Sequence, residues 1–216
     1  MFASIRRYRL QSGSIEDVAR RVDEDFADRI AAQPGFASYE FLDCGDDEVM
    51  TISLFREADQ AKASRDLAQQ WSEENLEEFE FTRSEALHGE VLVSRAAEEM
   101  LEPGHQDAAR KFASIRRYRL RKGAVEELMH IVDDVFAEQI AKLDGFVGYH
   151  ALDCEGGEIL SISIFRDQGT AEESDERALD FVRDELADFD IERTEVIGGE
   201  LLVSRALAPV LEPAHA

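Results

Sequence analysis

The nonapeptide FASIRRYRL occurs twice in this chain, at residues 2–10 and 112–120, without a substitution. Sliding the 216 residues against themselves by 110 positions aligns the halves end to end without a gap, and 46 of the 106 paired positions are identical. GF–x–x–Y recurs as Gly35, Phe36, Tyr39 and Gly145, Phe146, Tyr149, and L–D–C recurs at 42–44 and 152–154. G–E–x–L–V–S–R–A recurs at 89–96 and 199–206, and L–E–P–x–H at 101–105 and 211–215. The chain therefore reads as one unit written in tandem: repeat 1 over 1–103, a linker GHQDAAR over 104–110, and repeat 2 over 111–216.

Within each unit the order reads strand, helix, strand, strand, helix, strand. The nonapeptide mixes β-branched, aromatic and arginine residues and runs into a turn at Gly13, as a strand does. Ile15, Val18, Val22, Phe26 and Ile30 then recur at helical spacing, and the second copy keeps Val125, Leu128, Val132, Phe136 and Ile140. Ser14 and Asp17 suit the start of that helix and Gly35 its stop. Phe36–Asp43 and Glu48–Arg56 predict a hairpin around Gly45-Asp46-Asp47, followed by a helix from Ala58 to about Glu78 and a closing strand over Glu90–Arg95. A βαββαβ unit is the ferredoxin-like split βαβ, whose helices cover one sheet face and leave the other needing a partner. Duplication supplies two such sheets. The expected fold is α+β, two ferredoxin-like units packed sheet to sheet as an intramolecular barrel.

Composition narrows the partners. With 48 acidic against 24 basic side chains, the formal charge of −24 repels phosphate backbones and anionic membrane surfaces. Only four basic residues are lysines, so the acidic surface suits either a salt-rich cytoplasm or an arginine-rich proteome. No apolar run is long enough for a membrane span, and MFASIRRYRL lacks the apolar core of a signal peptide, so a cytoplasmic location is expected. Cys44 and Cys154 are the only cysteines and make no disulfide framework. Phosphate-binding glycine loops, CxxC pairs, HExxH and GxSxG are all missing.

The RRYR strand, the QPGF–x–x–Y element, the ISLFR strand and the Trp-bearing second helix resemble the antibiotic-biosynthesis-monooxygenase-like (ABM-like) members of the dimeric α/β-barrel superfamily. The resemblance covers essentially all of each half. It implies one barrel in one chain, a monomer with possible higher assembly, and a cofactor-independent monooxygenase-like activity on a small aromatic or quinol-like substrate. The competing reading is a non-catalytic ligand-binding or structural barrel. Heme degraders of the superfamily carry an Asn on the first strand and a ligand His after the second-helix Trp; this chain has neither, so no cofactor is expected.

The candidate residues carry two readings each. On a strand, Arg6 shares a face with Ser4 and Tyr8, while Arg7 and Arg9 share the other with Ile5. Arg6 and its copy Arg116 are candidates to hold a substrate oxyanion, or else to form cross-strand ion pairs with Glu90 or Glu200. By the resemblance, Trp71 and its counterpart Phe181 line a substrate cavity; by periodicity they are core. Tyr8, Tyr39, Tyr118 and Tyr149 serve as pocket hydroxyls or as packed rings. His150, which pairs with Glu40, is a candidate proton handler, and drift after duplication explains it equally. His130, Asp133 and Asp134 have a spacing that could grip a metal, but such a trio on an acidic helix usually faces solvent, so no metal site is assigned.

Overall fold

The computed structural model describes residues 1–104 and 110–216; the linker residues 105–109 lie outside the described residues. Eight strands form a closed barrel in the order β1-β3-β2-β8-β5-β7-β6-β4. They are β1 (Phe2–Leu10), β2 (Phe36–Asp43), β3 (Glu48–Phe55), β4 (Phe81–Ala96), β5 (Lys111–Lys122), β6 (Phe146–Asp153), β7 (Glu158–Phe165) and β8 (Asp190–Ala206). The expected α+β class and barrel are what the chain forms.

The first compact unit consists of Met1–His88, the described part of Leu101–Arg110, and Gly199–Val210. Its first helix, α1, runs as three continuous segments, α-helical Ile15–Arg21, π-helical Val22–Phe26 and α-helical Ala27–Ala31. Ser14 caps it by accepting from the Asp17 N–H at 3.1 Å. At its end Gly35 takes φ +72°, where a side chain is strained, and an added Cβ would lie 1.8 Å from Gln60 Oε1. The second helix, α2 (Ala58–Asn75), opens with a capping box between Glu57 and Gln60 and stops a turn short of the residues that the periodicity suggested. Strands β1 and β2 both pair antiparallel with β3, and the second half of β8 pairs with β2 from Ser38↔Ala206 to Asp43↔Glu200. Both helices pack on the face of Tyr8, Tyr39 and Val49, closing a core that contains Phe26, Trp71 and Val203.

The second unit, Gly89–Met100, Lys111–Gly198 and Leu211–Ala216, repeats this plan. Its α3 again contains a π segment, Val132–Ala137, between Val125–Ile131 and Glu138–Ile140, and α4 spans Gln168–Glu185 with Asp167 as its cap. The second half of β4 pairs with β6, from Glu90↔Asp153 to Ala96↔Gly148. The last strand of each repeat is thus much longer than the Glu90–Arg95 stretch read from sequence. Its polar first half (Thr82, Arg83 and Ser84 are exposed) carries no apolar alternation to betray a strand. Its second half belongs to the other compact unit.

Candidate functional site

In the first unit the space between sheet and helices is incompletely filled. A cavity of about 100 Å³ is bounded by β1 (Arg6, Tyr8), β2 (Tyr39, Phe41), β3 (Val49, Thr51), α1 (Val18, Val22, Phe26) and the Trp71 end of α2. The same positions in the second unit enclose about 30 Å³. Larger side chains account for the shrinkage: Leu128, Met129, Ile159 and Val182 stand where the first unit has Val18, Ala19, Val49 and Ser72.

The aromatic wall is the same in both. The Phe26 ring meets Tyr39 edge-on at 5.4 Å and Trp71 at 5.0 Å; Phe136 meets Tyr149 at 5.5 Å and Phe181 at 5.0 Å. Trp71 is tied down by its Nε1–H, which donates to Asp25 Oδ2 at 2.7 Å, a bond that also draws the Asp25 carboxyl below its usual pKa. Phe181 has no such handle. Burial raises the pKa of Tyr8, Tyr39, Tyr118 and Tyr149 alike, so all four stay protonated.

The arginines differ most. Arg116 is fully buried and held at two of its three nitrogens: its Nε lies 2.9 Å from Asp175 Oδ1, and its Nη2 donates to Ser163 Oγ at 2.7 Å and Ser174 Oγ at 2.9 Å, while Nη1 has no partner among the described residues. Ser114 also donates to Asp175. Arg6 is 5% exposed and lines its cavity, yet among the described residues no ion pair holds it and its buried Nη2 has no hydrogen-bond partner. Thr51 Oγ1, on the same cavity wall, and Ser4 Oγ and Ser53 Oγ beside β1 and β3 are also buried without partners. The helix position that carries Asp175 carries Arg65 in the first copy. Desolvation lowers the Arg6 pKa most, Tyr8 and Tyr39 act the other way, and the Arg65 and Arg83 charges depress it further.

Eight of the sequence candidates (Arg6, Tyr8, Tyr39, Trp71 in one unit and their partners in the other) need separate placement, because not all reach a cavity. Tyr118, Tyr149 and Phe181 line the small cavity of the second unit, while Arg116 is turned into its own polar cluster. His150 lines neither cavity. It is buried on β6, its Nδ1 3.0 Å from Ser94 Oγ and its Nε2 without a partner, and burial pulls its pKa down to about 4. Cross-strand ion pairing falls to Arg7 and Arg9 on Glu48 and to Arg117 on Glu158 instead of to Arg6 or Arg116. Asp133 is engaged by Arg95 and by His215 Nδ1 at 3.0 Å. Neither cysteine is in a disulfide, and burial pushes the Cys44 thiol up to about 12. Thr51 was not singled out from sequence, because the register that sets it opposite Arg6 is a long-range pairing that residue patterns do not carry. No histidine or cysteine lines either cavity among the described residues, which gives a heme iron no ligand of the expected kind.

Comparison with solved structures places this architecture. The chain superposes on a candidate monooxygenase from Fusobacterium nucleatum subsp. nucleatum with a TM-score of 0.68 at 9% identity, over 95% of this chain and 94% of that one. A candidate monooxygenase from Lactobacillus acidophilus matches at 0.63 and 11% identity over 95% of each chain. An anthrone oxidase-like protein matches at 0.54 and 12% identity over 96% and 94%. At 9–12% identity the likeness is one of fold, a closed eight-stranded α/β barrel shared with these proteins. No protein-family model matches the chain, and no curated protein matches it.

Proposed function

We propose that the first unit houses a cofactor-independent oxygenation site for a small aromatic or quinol-like substrate. The observation that carries this reading is a cavity walled by Phe26, Tyr39 and Trp71 into which the unpaired Arg6 projects. A buried cation without a counter-charge costs several kcal/mol of desolvation and is kept where something else gains from it. An enolising or phenolic ligand gains directly, because a fixed guanidinium in a dry site stabilises its oxyanion. The deprotonated ring then supplies electrons to O2. For a methylene flanked by aryl groups the balance is CH2 + O2 → C=O + H2O: one oxygen atom stays as the new carbonyl and the other leaves as water. Protonated Tyr8 and Tyr39 are placed to donate to the oxygen as charge develops on it.

The competing reading is a binding module without turnover. What favours it is that no carboxylate or histidine lines the cavity among the described residues, so substrate ionisation rests on the Arg6 field alone. Anthrone as a probe separates the two. Oxygen uptake stoichiometric with ketone formation, lost in Arg6→Gln while the fold persists, supports oxygenation. Quenching of Trp71, the single tryptophan, without any oxygen uptake supports the binding module.

A further inference from the structure

We infer that the ligand of the first unit carries an ionised oxygen, carboxylate or phenolate, that docks on Arg6 where the Asp175 carboxylate docks on Arg116 in the second unit, and that residue 65 decides whether the cavity accepts it. This rests on the cavity of the first unit being a ligand site.

The chain contains its own template. β1 and β5 present the same nine residues, so each places a buried arginine flanked by the same serine. In the second unit a carboxylate supplies the counter-charge: Asp175 takes hydrogen bonds from Ser114 and Arg116, and Ser163 and Ser174 both accept from Arg116 Nη2. In the first unit that carboxylate is replaced by a cation, Arg65, whose Nη1 lies 2.8 Å from His88 Nε2. The consequence is that, among the described residues, Arg6 Nη2, Ser4 Oγ and Ser53 Oγ are all buried without partners, where the second unit's cluster leaves Arg116 Nη1 alone so. Thr51 Oγ1 joins them on the cavity wall.

A neutral ligand would leave the guanidinium charge uncompensated. An anion supplies to Arg6 what Asp175 supplies to Arg116, with Arg65 and Arg83 adding attraction from nearby. A chain with a net charge of −24 would otherwise repel such a ligand, so local cations are needed to admit it. Charge reversal at one helix position therefore separates a half whose arginine is left to an anion from a half whose arginine is paired by its own carboxylate.

The test uses benzoate against its neutral isostere benzamide, titrated at neutral pH and fixed salt with Trp71 fluorescence as the readout. Benzoate should bind on the order of tenfold tighter than benzamide, since a charge-assisted bond is roughly twice as strong as a neutral one. Arg65→Asp should abolish that preference while the unfolding midpoint stays at or above that of the wild type, because the introduced carboxylate pairs with Arg6. Equal binding of the two probes leaves the cavity reading standing and overturns the anion assignment. A benzoate preference that survives in Arg65→Asp overturns the role of residue 65. Arg6→Gln gives an independent check should Arg65→Asp misfold: retained preference there also overturns the proposal. If neither probe perturbs Trp71 at millimolar concentration, the cavity reading itself fails and the inference falls with it.

Discussion

Residues 2–10 and 112–120 are identical in sequence and equivalent in the fold, yet their buried arginines live in opposite circumstances. Arg116 is neutralised by Asp175 and by three serines, and the cavity beside it is nearly filled. Arg6 faces a cavity about three times larger with an arginine where the aspartate would be. The strand does not decide what its arginine does. The helix packed above it does, through one charge and through the bulk of a few apolar residues. The two halves keep the same scaffold, and the helices of each settle its cavity separately.

The sharpest way to break this comparison is to remove the carboxylate that seals the second unit. Asp175→Ala strands a fully buried guanidinium and should lower stability by about 3 kcal/mol in chemical denaturation, the low end for a broken buried pair because the Asp175 side chain is itself 25% exposed. Arg65→Ala should change stability by less than about 0.5 kcal/mol, as the like-charge repulsion it removes offsets the exposed contact to His88 that it loses. Equal losses would show that the two arginines are held alike.

A second asymmetry is His150, which stands where the first copy has Glu40. Its folded pKa of about 4 lies below the unfolded value of about 6.5, so the unfolded chain binds a proton that the folded chain refuses. Stability therefore falls as pH drops from about 6.5 and levels off only below 4. His150→Gln should remove up to about 3 kcal/mol of that acid-side loss between pH 7 and pH 4, read from denaturation midpoints at both values. An identical pH dependence in both proteins would place the imidazole in contact with water.

The smallest expected effects concern the aromatic at the cavity wall. Phe181→Trp must force an indole into about 30 Å³ and should cost about 1–3 kcal/mol in thermal melts. Trp71→Phe loses the bond to Asp25 and should cost about 1 kcal/mol. A Phe181→Trp variant as stable as the wild type would mean that the second cavity is more adaptable than its lining suggests.

Much of the fold was legible because repetition and periodicity are local properties. The spacing of Ile15, Val18, Val22, Phe26 and Ile30 marked a helix, although the π turn within it left no trace, since a single register step barely disturbs an apolar stripe. The Gly45-Asp46-Asp47 hairpin and the Ser14 cap were likewise written in residue chemistry, and the uncovered sheet face made pairing of the two copies a physical requirement. The exchange of the last strand between compact units was hidden, because the polar first half of β4 carries no alternation and strand pairing is a long-range choice. At the site, sequence alone put Arg6 and Tyr8 on one face and nominated Trp71. It gave equal standing to Arg116 and offered His150 as a partner that the fold keeps away from both cavities. Strand alternation assigns a side chain to a face; only tertiary packing brings the 65 and 175 helix positions over that face, and there the sign of one charge decides whether the arginine below is paired.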